Sequence, residues 1–153
     1  MKKTFQGIAK QNLSAVVDAI SILIKPGVIL FFDGDPGAGK TYLISEILKK
    51  YNISEVSSPT FALHHQYQSG LQKLIFQHFD LYRIESIDEL ETIGLWELFS
   101  QDQHGITSCY LIEWGSKFPE GIWPLNSQKI WIGITQGYQL DTRHYTINQS
   151  PVC

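Results

Sequence analysis

Lys40 and Thr41 close the run Gly34-Asp35-Pro36-Gly37-Ala38-Gly39. A glycine, four residues and then Gly-Lys-Thr is the pattern of a loop that cradles nucleotide phosphates. Gly34, Gly37 and Gly39 let the backbone curl so that successive N–H groups point at phosphate oxygens. Lys40 supplies a point charge for the β- and γ-phosphates, and the Thr41 hydroxyl suits a Mg²⁺ that bridges phosphate oxygens. The same residues also fit a glycine turn that merely joins two elements. Their surroundings decide between the two.

Before the loop, Val28 to Phe32 form a short apolar run of the kind expected of a buried parallel strand. After it, Leu43, Ile44, Ile47 and Leu48 recur at helical spacing, and Lys49 and Lys50 stand at the helix end that favours cations. Strand, glycine loop and helix N-terminus thus follow in the order a phosphate site requires. Bound ATP or ADP with Mg²⁺ is the expectation.

Further chemistry-bearing residues lie downstream. The polar segment from Ser54 to Thr60, with Pro59, reads as a surface loop where a switch sensing the γ-phosphate is often placed. Thr60 would add a hydroxyl near the Mg²⁺; a plain connector is the competing reading. A hairpin is expected from FALHHQYQ and KLIFQHFDLYR about the Ser69-Gly70 turn. Its second strand ends in His78-x-Asp80-x-Tyr82-Arg83, either a site or a solvated strand end. Cys109 to Ile112 form a second buried-strand pattern, directly followed by Glu113. An acid at the C-terminal end of a parallel strand opens onto the ligand crevice.

The remaining pattern supplies the frame. Leu13, Val16, Val17, Ile20, Leu23 and Ile24 share one helical face, with Asn12 as the expected N-cap and Pro26-Gly27 as the stop. Ser86 to Glu89 is a capping box, Gly94 ends that helix, and Leu95, Leu98 and Phe99 begin another. KIWIGITQ and RHYTINQ are strands too close in sequence for a crossover helix, so they pair antiparallel. Together these predict an α/β fold of the P-loop NTPase kind. It has a mostly parallel central sheet, antiparallel hairpin additions and flanking helices, in one domain over residues 1–153.

Composition narrows the class. The net charge is −3 without a basic stripe, which disfavours direct binding of DNA or RNA. No apolar run reaches the ~20 residues of a membrane span, and MKKTFQGIAKQN has no apolar core of a signal peptide. Two cysteines, Cys109 and Cys153, support neither a disulfide framework nor a zinc site, so a reducing cytoplasm is expected. Arg83 and Arg143 are the only arginines. Nucleotide kinases clamp several phosphates with forked arginine donors, which two distant arginines cannot supply. No Asn-Lys-x-Asp motif reads a guanine, and Asp102-x-x-Gly105 follows no strand. What is left is a small ATPase with a switch loop and partner-dependent hydrolysis. A small-molecule kinase, or a nucleotide-sensing module with negligible hydrolysis, is the alternative.

Five motifs now stand in one order: Gly34-Asp-x-Gly-Ala-Gly-Lys-Thr41, Ser58-Pro-Thr-Phe61, His78-Phe-Asp-Leu-Tyr-Arg83, Glu89-Leu-Glu-x-Ile-Gly94 and Ile112-Glu-Trp114. In this the sequence resembles the bacterial TsaE family, also known as the YjeE type. The resemblance implies the ATPase component of tRNA threonylcarbamoyladenosine synthesis, acting with a TsaD–TsaB heterodimer and meeting tRNA only through that complex. It implies phosphate binding by Lys40, Mg²⁺ ligation by Thr41 and Glu113, and a catalytic region containing Asp80. Thr60 falls in the switch-like segment, and Arg143 near the nucleotide base. Either Asp80 or Glu113 would act on the attacking water, and Arg83 is the one candidate for an internal arginine finger. Pro36 departs from the usual leucine and removes one N–H from the loop. Tyr42 replaces the usual second threonine, and Gly115 stands where relatives carry proline or a small residue.

Overall fold

The computed structural model describes residues 1–70, 73–102 and 107–150. Cys153 and most of the Asp102-x-x-Gly105 stretch lie outside them. The apolar run at Val28 is buried on all sides because its strand lies mid-sheet. The strands are β1 (Lys2–Ala9), β2 (Ile29–Asp33), β3 (His64–Gln68), β4 (Ile75–Asp80), β5 (Ser108–Glu113), β6 (Lys129–Gln136) and β7 (Thr142–Gln149). They form one sheet in the order β1-β7-β6-β2-β5-β4-β3. The central four, β6-β2-β5-β4, are mutually parallel, and antiparallel hairpins extend the sheet at both edges. The expected architecture is therefore the observed one.

Alternation along β2 divides the core. Leu30 and Phe32 join one apolar cluster with α1 (Ser14–Ser21) and α2 (Lys40–Lys49). Ile29 and Phe31 join a second with Leu90 of α3 (Ile87–Thr92) and Leu95 and Phe99 of α4 (Leu95–Asp102). Helices on both faces let β2 be apolar throughout. Ser86 caps α3 by accepting from the Glu89 N–H at 3.3 Å, as its capping box requires. Buried Cys109 is packed in the first cluster, where burial pushes its thiol pKa well up.

One strand goes beyond the sequence reading, and two local expectations need correction. Lys2–Ala9 is a strand that the residue pattern does not announce, and it pairs antiparallel with β7. Asn12 does not cap α1: it ends a 3₁₀ turn at Lys10–Asn12, and Leu13 takes the cap position without a side-chain bond. Residues 61–63 form a turn ahead of β3 instead of its first residues.

Gly115 has a clear physical reason. A Cβ there would lie 2.2 Å from Cδ1 of Phe31, whose ring is stacked on Trp131 with centroids 3.9 Å apart. The ring cannot retreat without unstacking. Gly115→Val is expected to cost about 2–3 kcal/mol by overpacking, lowering the melting temperature by roughly 5–10 °C at this size. Thermal unfolding followed by circular dichroism checks this, and a variant melting within about a degree of the parent would contradict it.

Candidate nucleotide site

The loop between β2 and α2 turns back on itself through left-handed residues, with φ +77° at Gly37 and +102° at Gly39. Gly39 is also the N-cap of α2. The N–H groups of Lys40, Thr41 and Tyr42, in the first turn, have no intrahelical acceptor and are available to an anion. Lys40 is folded onto its own loop: Nζ donates to the carbonyls of Gly34 at 2.7 Å and Asp35 at 3.0 Å. The Trp114 ring covers this ammonium, its centroid 4.1 Å away. Burial lowers the Lys40 pKa, while Glu113, Asp80, Asp33 and Asp35 pull it upward.

Both acids come from strand ends. Asp80 ends β4 and Glu113 ends β5, paired in register. Glu113 is also opposite Phe32 of β2, the strand that feeds the loop. All three ends therefore face one crevice at the C-terminal edge of the parallel strands. Asp80 is 4% exposed and Glu113 3%; at His78 and Asp80 the reading of a solvated strand end does not hold, while Tyr82 and Arg83 beyond them are exposed.

Hydrogen bonds tie these acids to the motifs around them. Glu113 Oε1 accepts from the Thr41 hydroxyl at 2.7 Å and lies 2.9 Å from Nε2 of His78. His78 is fully buried, and among the described residues its Nδ1 has no partner. With Glu113 ionised, Nε2 must carry the proton, so the imidazole fixes the carboxylate. Asp80 Oδ2 accepts from the Thr60 hydroxyl at 2.6 Å, and its Oδ1 accepts from the Tyr82 N–H at 2.9 Å. Thr60 in turn is 2.6 Å from the Ser58 hydroxyl. The polar loop is thus attached to an acid of the site, as a switch would be and a plain connector need not be.

Two cavities flank the loop. One, about 280 Å³, is lined by Pro36, Lys40, Thr41, Thr60, Asp80 and Glu113, among others. The other, about 460 Å³, lies toward Gly37, Ala38, Gly39, Tyr42 and Arg143. Arg143 is therefore in the second cavity, with its guanidinium donating to the Thr142 carbonyl at 2.9 Å. Arg83 is in neither: its guanidinium lies over the Phe61 ring, 4.3 Å from the centroid.

Lys117 holds part of the site without any motif to mark it. Its ammonium donates to the carbonyls of Leu81 at 3.1 Å, Tyr82 at 2.7 Å and Ile84 at 2.7 Å, holding the chain just after Asp80. The turn after β5 is also anchored to β2, because the Ser116 hydroxyl donates to Asp33 at 2.6 Å. Trp114, between these anchors, adopts φ +65°, a left-handed value uncommon for a large residue. That backbone places its ring against Lys40. A lone lysine has no sequence signal for such a role.

A parallel strand, a glycine loop, a helix N-terminus and an acid on the neighbouring strand define the phosphate-loop NTPase fold. The chain's residues 8–145 match the family model described as threonylcarbamoyl adenosine biosynthesis protein TsaE, and the chain belongs to that family. It is 36% identical over 111 residues to the tRNA threonylcarbamoyladenosine biosynthesis protein TsaE of Bacillus subtilis, covering 72% of this chain and 65% of that protein. Against the protein of the same name from Haemophilus influenzae it is 39% identical over 98 residues, covering 63% and 57%. The matches thus span less than two-thirds of these relatives' own length. Among solved structures, Bacillus subtilis YdiB superposes with a TM-score of 0.66 at 23% identity, covering 99% of this chain and 87% of that one. That likeness concerns the fold.

Proposed function

We propose that this chain binds and hydrolyses ATP as a component of tRNA threonylcarbamoyladenosine synthesis, working with a TsaD–TsaB heterodimer and meeting tRNA only through that complex. One observation carries the nucleotide part. Lys40, Thr41, Thr60, Asp80 and Glu113 line a single cavity, and four of them are joined by the Thr41–Glu113 and Thr60–Asp80 hydrogen bonds. Family membership supports the pathway.

The residues fit Mg²⁺, which takes oxygen ligands, often one carboxylate plus substrate phosphates and water. Thr41 and Glu113 bring a hydroxyl and a carboxylate oxygen to within 2.7 Å of each other at this cavity. They would hold the ion, which would neutralise charge on the phosphate oxygens when bound. Lys40 leaves its loop carbonyls for the phosphates, and the amides at the start of α2 offset the charge that spreads over the transferring group. In this reading Glu113, paired with Thr41, is taken up with the ion. Asp80, tied to the Thr60 loop, is accordingly assigned to orienting the attacking water.

Among the described residues, no arginine lines this cavity. An arginine supplied by a partner is worth roughly 10³–10⁵ in rate where phosphate-loop enzymes use one. Phosphate release by the isolated chain is therefore expected to be slow, and to rise at least about tenfold on adding TsaD and TsaB. Fast turnover unchanged by partners would contradict this. The same assay addresses a kinase, which would place phosphate on an acceptor instead of in water. A nucleotide-sensing module draws support from one observation, that both Asp80 oxygens already accept hydrogen bonds. It would show partner binding that differs between ATP and ADP with no phosphate release.

A further inference from the structure

Tyr42 brings a large aromatic ring to the edge of the phosphate loop, and the structure gives that ring a place to act. It stands in the first turn of α2, immediately after Thr41, and packs against the core cluster while lining the 460 Å³ cavity. The ammonium of Lys10, an exposed residue on the 3₁₀ turn before α1, lies 4.2 Å from the ring centroid. A flexible surface cation therefore covers a ring whose other surroundings hold it in position. Ile8, Leu13 and Tyr145 provide apolar lining in the same cavity, and Arg143 a charged group.

The direction of a bound nucleotide follows from the two cavities. In the reading above Lys40 takes the terminal phosphates on the smaller side, where Thr41 and Glu113 would hold Mg²⁺, and Gly37 lines both cavities. A nucleoside triphosphate threaded past Gly37 has its nucleoside on the side of Tyr42. We infer that the Tyr42 ring is the stacking platform for the nucleobase in this chain, and that Lys10 gives way to the base. Stacking on an aromatic ring is worth more than an exposed cation–π contact, so the exchange is favourable. Because stacking reads a π-face and not a base edge, Tyr42 adds affinity without choosing adenine over guanine. This inference rests on the nucleotide reading above.

Calorimetric titration of the full chain with Mg·ATP and with Mg·tripolyphosphate separates base from phosphate. Tyr42→Thr should weaken ATP about tenfold and tripolyphosphate less than about twofold, the size expected for one lost stacking partner. Tyr42→Phe keeps the π-face and should match the parent for both ligands. Unchanged ATP affinity in Tyr42→Thr would overturn the inference, as would equal losses for both ligands or a Tyr42→Phe as weak for ATP as Tyr42→Thr. A parent chain that binds neither ligand would overturn the phosphate-loop reading itself, a different result from any of these.

Discussion

Lys40→Ala is expected to weaken ATP binding by at least about a hundredfold, the cost of losing charge-assisted hydrogen bonds to two phosphate groups. Nucleotide turnover should vanish with it. The fold should survive, because among the described residues the Lys40 ammonium bonds only to the carbonyls of its own loop and lies under Trp114 at the cavity wall. Removing it opens that space to water, which can solvate Asp80 and Glu113, the buried acids whose charge the ammonium offsets. Lys40→Arg is not a rescue, since a planar fork is a different shape from a compact ammonium beneath an indole. Equilibrium binding of a fluorescent ATP analogue, with circular dichroism as the folding control, measures both halves. Normal ATP turnover by Lys40→Ala would remove the phosphate-loop assignment.

Glu113→Ala should reduce phosphate release about a hundred- to thousandfold, the usual range for losing one preorganised electrostatic group. It should also destabilise the chain. Glu113 is the acceptor for Thr41 and the partner of a fully buried His78 whose Nδ1 already has none among the described residues. Leaving the second ring nitrogen unpaired costs about 1–3 kcal/mol. Glu113→Gln separates the two effects. Its amide oxygen still accepts from Thr41 and His78, so the melting temperature should recover most of the loss. Its neutral group is a poor ligand for a hard cation, so phosphate release should stay low. Phosphate-release rates across a magnesium titration, set beside melting curves, make the comparison. Full activity in Glu113→Gln would show that the carboxylate charge is not needed.

The loop is legible in the sequence because its chemistry is local. Its glycines, lysine and threonine are nearly consecutive, and the strand and helix beside it announce themselves by burial pattern. Asp80 and Glu113 are legible one step further out, as acids at the ends of strand patterns. That they share a register, and that Thr60 and Thr41 reach them, depends on β4, β5 and β2 lying side by side. Sheet order is set by contacts far apart in the chain, which no local window contains.

The cavity around Tyr42 is hidden from the sequence for the same reason. Its walls come from Ile8 and Arg143, brought together by the pairing of β1 with β7, and from Tyr42 of α2. β1 itself gives a weak signal. It is an edge strand with mostly exposed residues, and its pairing slips between Phe5 and Ile8, where Gly7 has φ +61°. A bulge breaks the two-residue alternation that would have marked it. Gly115 has no interpretation in the sequence alone, because its constraint is the ring of Phe31, far away along the chain.

The most direct test of the proposed role is tRNA threonylcarbamoyladenosine formation reconstituted from TsaD, TsaB, tRNA, ATP and the threonylcarbamoyl donor, with and without this chain. More modified tRNA is expected with the wild-type chain, and markedly less with Lys40→Ala or with no addition. Equal yields in all three reactions would contradict a nucleotide-dependent role in this modification.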